Sequence, residues 1–329
     1  MSLPERVSIR EVGPRDGFQN EPETIATERK VELIDALART GIKRLEVTSF
    51  VRADVIPQLA DAAEVLSGID IPEEVAVSVL IPNERGLEAA LVQRERFDEI
   101  NVFLSASETH NHRNVNRSIE ESLAGLETVL TRARQEGLRC EGVISTSFGC
   151  PYEGHVPPER VLQIATRLRD AGAQEVGFGD TTGMANPRQV GEFFALARER
   201  LGAGRTAGVA DGAAGGAVDA ATADVQLTAH FHNTRGQGLA NVLAALQAGI
   251  DSFESSFGEL GGCPVPAGAT GNIATEDLVS MLAEMGIETG IDLDALLACA
   301  RRVQEILGRP LGSHTLVAGP VDWRKHAGR

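Results

Sequence analysis

The chain has 329 residues, enough for one large barrel or two ordinary domains, and for a core that needs no staples. Its 31 lysines and arginines face 47 aspartates and glutamates, a net charge of −16 that sets nucleic acid and anionic membrane aside as partners. The same field opposes an anionic substrate at long range, so an acidic ligand has to be captured by a local cation, a metal or an arginine.

The four cysteines, Cys140, Cys150, Cys263 and Cys299, form no CxxC pair, which fits a reducing compartment. No signal peptide, Arg-rich presequence or membrane-length apolar run is read in the chain, and the expected location is cytoplasmic.

Short β-rich runs alternate with helical patterns from end to end. Val7–Val12 predicts the first strand and Glu28–Arg39 the helix after it, with Thr27 as N-cap and Gly41 as the stop. Arg44–Val47, Val75–Val79 and Glu99–Phe103 follow as strands. Ile119–Glu136 predicts a helix, Arg139–Ser145 a strand, Pro158–Ala171 a helix and Glu175–Phe178 a strand. Residues 203–224 are mostly Ala and Gly, without Leu, Ile, Met or an aromatic residue. Burial there cannot offset the ordering entropy, so a flexible insertion is expected, on the barrel face away from the catalytic mouth. Leu227–Phe231 and Asp251–Ser255 bring the strands to eight. Eight βα units in this length read as an α/β protein of the (β/α)8 TIM-barrel type rather than a doubly wound sheet. Thr275–Met285 and Asp292–Leu307 predict additional C-terminal helices. The expected division is a catalytic barrel over 1–285 and a helical extension packed on it over 286–329.

Several residues placed after strands could carry chemistry. His230 and His232 are i and i+2 on a strand and share one face, so both imidazoles can reach one cation; hydrogen-bonded polar side chains are the alternative. Asp16, in Gly13-Pro14-Arg15-Asp16-Gly17, offers a hard oxygen ligand, and Arg15 a planar cation for an oxyanion; a plain turn is the alternative. Gly261-Gly262-Cys263-Pro264 reads as a closing flap, with Cys263 an acid or base, or simply a small buried residue. Asn272 offers an amide oxygen, or caps the helix after it. Glu46 and Asp180 end their strands as carboxylates in need of a partner. The joint placement of these residues at one end of a barrel points to a metal site.

The chain resembles the 3-hydroxy-3-methylglutaryl-CoA lyases of the DRE-TIM metallolyase superfamily from about Val7 to Leu307. The matching stretches are Glu11–Gly17 with Gln19-Asn20-Glu21, Glu46–Val51, Ser107-Glu108, Gly149–Gly154 and Gly179-Asp180-Thr181. His230-Phe231-His232, Gly261–Pro264, Thr270-Gly271-Asn272 and Glu276-Asp277-Leu278 complete them. The resemblance implies Asp16, His230, His232 and Asn272 as metal ligands, with Mg²⁺ or Mn²⁺ as the cation. It implies Arg15, Asp16, Glu46 and Cys263 as catalytic residues, and Arg15, Gln19, Ser49 and Asp180 as substrate-binding ones. The implied reaction is retro-Claisen cleavage of an acyl-CoA thioester, of the leucine-degradation type, in a homo-oligomer of two or more subunits. Three positions depart from the lyase pattern: Phe18, Phe231 and Asn233. They bear on the substituent at the substrate's third carbon, so a lyase for a different 3-hydroxy-3-carboxymethyl acyl-CoA is an alternative. A Claisen-type acyl transferase is another, which the Gly-Gly-Cys-Pro motif argues against. A scaffold barrel without activity would be expected to have lost ligands, and all four are present.

Overall fold

The computed structural model describes residues 3–202, 225–262 and 271–323. The expected insertion at 203–224 and the flap residue Cys263 lie outside these. Eight strands, β1 (Ser8–Glu11), β2 (Arg44–Ser49), β3 (Ala76–Leu80), β4 (Glu99–Ser105), β5 (Arg139–Ser145), β6 (Glu175–Asp180), β7 (Gln226–Phe231) and β8 (Ser252–Ser255), pair in sequence order. Each pairing is parallel, and β8 returns to β1, closing the (β/α)8 barrel expected from the alternation of elements. β2, β4 and β6 run two residues further than their apolar signal, to Ser49, Ser105 and Asp180. These extra residues are polar or small because they form the mouth.

Helices pack outside the strands over a continuous apolar layer that includes Leu33, Val77, Ile100, Leu104, Ile144 and Phe194. The first helix is Thr27–Ala38, and its N-cap is Ala26 rather than Thr27. Thr27 takes the first helical position, where its hydroxyl donates to Asp61 Oδ2 at 2.7 Å. Gly41 sits at φ +94°, and a Cβ there would meet the carbonyl oxygen of Gly290 at 2.2 Å, so the chain turns where only glycine fits. Beyond β8, Thr275–Glu284 and Leu293–Leu307 are helical. Leu293–Leu307 lies beside Thr27–Ala38, with Arg302 Nε donating to Glu32 at 3.1 Å. The last helices thus complete the ring against the first. No helix among the described residues is long and apolar enough to cross a membrane.

The lumen departs from the branched apolar filling usual in such barrels. Arg10 of β1 and Arg44 of β2 point inward to meet Glu99, Glu175 and Glu254 from β4, β6 and β8. Arg44 Nη2 is 2.6 Å from Glu175, Arg10 Nη1 is 2.9 Å from Glu254, and Arg139 Nη2 is 3.2 Å from Glu175. Glu141 of β5 pairs with Arg10 as well. Apart from the partly exposed Arg139, these charges are buried, so each is tolerated only through its partners. The floor of the barrel is therefore a rigid ionic plug, and the space open to a ligand lies above it.

Candidate metal centre at the barrel mouth

Immediately after β1 the chain makes one wide turn, Gly13–Gly17, with Pro14 at its start. The turn lifts Arg15 and Asp16 over the open end of the barrel. Arg15 Nε donates to Glu46 Oε2 at 2.7 Å, and its Nη1 to Asp16 Oδ1 at 2.6 Å. Gln19 Nε2 adds a bond to Asp16 Oδ1 at 3.1 Å.

On β7 the period of two turns His230 and His232 to the same face. Their Nε2 atoms are 3.1 Å apart. Nδ1 of His230 is 2.8 Å from Glu254 Oε2. A carboxylate accepts only, so His230 carries its proton on Nδ1 and presents a bare Nε2 lone pair. The segment after β8 pairs with the end of β7: Ile273 N donates to Phe231 O at 3.0 Å, and Asn272 bridges to His232. This brings Asn272 Nδ2 within 2.7 Å of Asp16 Oδ2. The amide orientation is fixed by that acceptor, and Asn272 Oδ1 is left buried with no hydrogen-bond donor. Gly261 packs over the pair at φ +100°, where a Cβ would come 2.6 Å from Asn272 Nδ2.

Asp16, His230 and His232 offer ligand atoms all within 4.8 Å of one another, a candidate metal site. Two imidazole nitrogens turned to one point, an ionised carboxylate and an orphaned amide oxygen suit a divalent cation. Around and below the mouth, Arg10, Arg15, Arg44 and Arg139 face the more numerous carboxyl groups of Asp16, Glu46, Glu99, Glu141, Glu175 and Glu254, a setting that favours a bound cation.

Burial by itself would raise the Asp16 pKa, but Arg15, then His230, His232 and Asn272, hold it below the usual carboxylate range. Burial raises Glu46 despite Arg15, and the nearby Glu254 adds to the rise. Glu254 is also opposed by burial, yet His230 and Arg10 bring it down to about 2. The result is one ionised ligand, one permanent cation and one ionised carboxylate behind the imidazole.

Of the residues expected at the site, Arg15, Asp16, Gln19, Glu46, His230, His232 and Asn272 converge. Asn272 is not a helix cap, because the next helix starts at Thr275 behind Ala274. Ser49 reaches the lumen face through a bulge between Glu46 and Thr48, since it pairs with Leu80 as Glu46 pairs with Ser78. Its hydroxyl accepts from Val51 N at 3.2 Å. Asp180 is placed differently from the cluster. Its Oδ1 accepts from Met184 N at 2.7 Å and Ala185 N at 3.0 Å, shaping the loop after β6, and burial pushes its pKa up to about 7.

Each of the three departures has contacts of its own. Phe18 packs edge-on against Phe257, and Phe231 lies tilted against Phe148; Phe18 and Phe231 are both fully buried. Asn233 donates to Glu259 Oε1 at 2.7 Å and accepts from Gly238 N at 3.2 Å, a loop brace rather than a ligand. Phe231, between the two histidines on β7, turns to the outer core and not to the ligand face. Sequence reasoning also missed Glu254 and Glu11. Glu254 is the register partner of His230, a signal available only once β7 and β8 are aligned. Glu11 accepts from Gly13 N at 2.7 Å, from Phe257 N at 3.1 Å and from Thr275 Oγ1 at 2.6 Å, tying the loop after β1 to the segments after β8.

Fold and site together define a (β/α)8 barrel with a candidate carboxylate–imidazole metal centre at the C-terminal ends of its strands. Residues 6–303 match the HMGL-like family, and the chain belongs to it. It is 45% identical over 316 residues to hydroxymethylglutaryl-CoA lyase of Bacillus subtilis, covering 96% of this chain and 98% of that one. It is 40% identical over 321 residues to 3-hydroxy-3-isohexenylglutaryl-CoA/hydroxy-methylglutaryl-CoA lyase of Pseudomonas aeruginosa, covering 97% and 98%. Among solved structures, an HMG-CoA lyase from Acinetobacter baumannii in complex with coenzyme A and 3-methylmalate superposes with a TM-score of 0.86 at 38% identity, covering 97% of each chain.

Proposed function

We propose that the chain is a carbon–carbon lyase that cleaves 3-hydroxy-3-methylglutaryl-CoA to acetoacetate and acetyl-CoA. Asp16, His230, His232 and Asn272 would hold Mg²⁺ or Mn²⁺. The observation that carries the reading is the pair of imidazole Nε2 atoms 3.1 Å apart beside Asp16, in a chain of this family. A divalent cation bound there would supply a Lewis acid that lowers the pKa of the substrate's hydroxyl.

The side chains account for the rest of the chemistry. A base takes the proton of the C3 hydroxyl, its oxygen becomes the ketone of acetoacetate as the C2–C3 bond breaks, and the electron pair of that bond moves onto the thioester oxygen as an enolate. Arg15 stays charged and is fixed by Glu46 and Asp16, so it can meet that oxyanion without reorganising. Glu46 serves as its positioning carboxylate. Cys263, next after Gly262 in the chain, is assigned the return of a proton to C2. Gln19 and Ser49 border the substrate, and Asp180 shapes the loop beside it. The same reading takes the enzyme as cytoplasmic, homo-oligomeric and part of leucine-type degradation.

The test is turnover of the thioester after chelation and after Mg²⁺ is restored. Activity lost on chelation and regained with Mg²⁺ supports the assignment. Metal-independent turnover, or none across several hydroxyacyl-CoA thioesters, removes it.

A further inference from the structure

The polar ends of a hydroxyglutaryl thioester are met by Arg15 and the metal ligands, which leaves the substituent on its third carbon unassigned. The lumen is ionic or polar over most of its inner surface. Leu80 of β3, Phe103 of β4 and Val143 of β5 are an apolar stretch within it. Their direction follows from the strand period: Glu99 and Glu141, which precede Phe103 and Val143 by an even number of residues, reach Arg10 in the lumen. Phe103 and Val143 are also register partners, so they stand side by side. A Cβ placed on Gly177 of β6 would lie 3.0 Å from Val143 Cγ2, which locates that side chain on the inner face independently.

Two facts turn this stretch toward a ligand. First, in the C-terminal halves of the eight strands the partly exposed residues are Phe103, Val143 and Ser145; the rest are buried. An inward apolar side chain that solvent touches borders a void inside the mouth. Second, β4 and β5 lie across the closed ring from β8 and β1, the strands that deliver Asn272 and Asp16. In a barrel of this stagger, register partners climb about one residue per strand from β7 back to β5, so Val143 stands level with His230. Between them on β6 is Gly179, the register partner of His230. A Cβ there would have its nearest neighbour at 3.5 Å, an ordinary contact, so the glycine leaves open room beside the ligands.

We propose that Phe103 and Val143 form an apolar subsite for the alkyl group on the substrate's third carbon, and that Gly179 leaves it wide enough for chains longer than methyl. The proposal rests on the lyase reading above. One relative of this chain is named for both an isohexenyl and a methyl substrate. Desolvating an alkyl group against these partly exposed side chains is favourable.

The experiment compares kcat/KM for two CoA thioesters with Mg²⁺, one bearing methyl and one bearing isohexenyl at C3. The wild-type chain is expected to cleave both. Val143→Phe and Gly179→Ala should each lower the isohexenyl-to-methyl ratio at least about tenfold, the scale of a methylene-sized change in an apolar pocket. Gly179→Ala has clearance for its methyl, so it keeps the test open should Val143→Phe fold poorly. A wild type that cleaves methyl alone overturns the width of the subsite. Variants that slow both thioesters equally overturn the subsite itself, since the wall would then touch a part that both substrates share. A wild type that cleaves neither overturns the lyase reading, and the subsite with it.

Discussion

Glu254 joins the metal centre to the ionic floor, and replacing it by Gln tests both at once. One carboxylate oxygen takes the Nδ1 proton of His230 at 2.8 Å, and the other takes Nη1 of Arg10 at 2.9 Å. Gln keeps the size but offers one acceptor and one donor. If its oxygen stays with Arg10, the new NH₂ faces His230 Nδ1. The imidazole must then move its proton to Nε2, the atom turned toward the metal position. If the oxygen stays with His230, the NH₂ faces a guanidinium in a buried site. Loss of such a carboxylate behind a ligating histidine costs about 10- to 100-fold in metal affinity, roughly 1.4–2.7 kcal/mol. Titration of metal-free protein with Mn²⁺, followed by electron paramagnetic resonance, measures it directly. A folded Glu254→Gln protein with a Mn²⁺ dissociation constant within about twofold of wild type, well inside the range just given, would refute the reasoning.

Gly261→Ala should weaken Mn²⁺ binding in the same titration, because its Cβ displaces Asn272 and its φ of +100° disfavours any side chain; unchanged affinity counts against Asn272 as a ligand. Glu175→Gln should cost about 3–5 kcal/mol in denaturant unfolding, since it uncouples Arg10, Arg44 and Arg139 at once. Burial pushes Glu276 up to about 8, well above its unfolded value of about 4.3, so the unfolded chain gives up this proton first. Wild type should therefore lose stability through this group as pH rises between those values. The melting temperature of Glu276→Gln relative to wild type should climb over the same window, and a flat difference would show that Glu276 is ionised in the fold. Cys263→Ala should cut turnover severely with Mn²⁺ affinity retained; full turnover would take Cys263 out of the mechanism.

Much of the barrel is legible because strands and helices alternate with the right periods, and the strand cores fall where apolar runs do. The signal fades where function begins. β2, β4 and β6 continue into polar mouth residues that carry no apolar pattern, and the bulge that redirects Ser49 leaves no mark in the sequence. Proximity along the chain does not by itself place Phe231 at the ligands. A residue next to a ligand on a strand faces the opposite side, and Phe231 accordingly belongs to the outer core. His230 and His232 could be paired from spacing alone. Glu254 could not, because its tie to His230 depends on how β8 aligns with β7. Phe103 and Val143 read as ordinary strand residues until the lumen around them proves to be charged.

The Glu11 carboxylate has a consequence for assembly. It holds the turn bearing Asp16 to the segments flanking Asn272, two donors that stand at opposite ends of the chain. The donors can meet only after β8 has docked on β1. A cation that needs both therefore binds the finished ring and not an open fragment of it, and by mass action it favours closure. With the proposed ligand set, Mn²⁺ binding during refolding would report closure of the ring in real time.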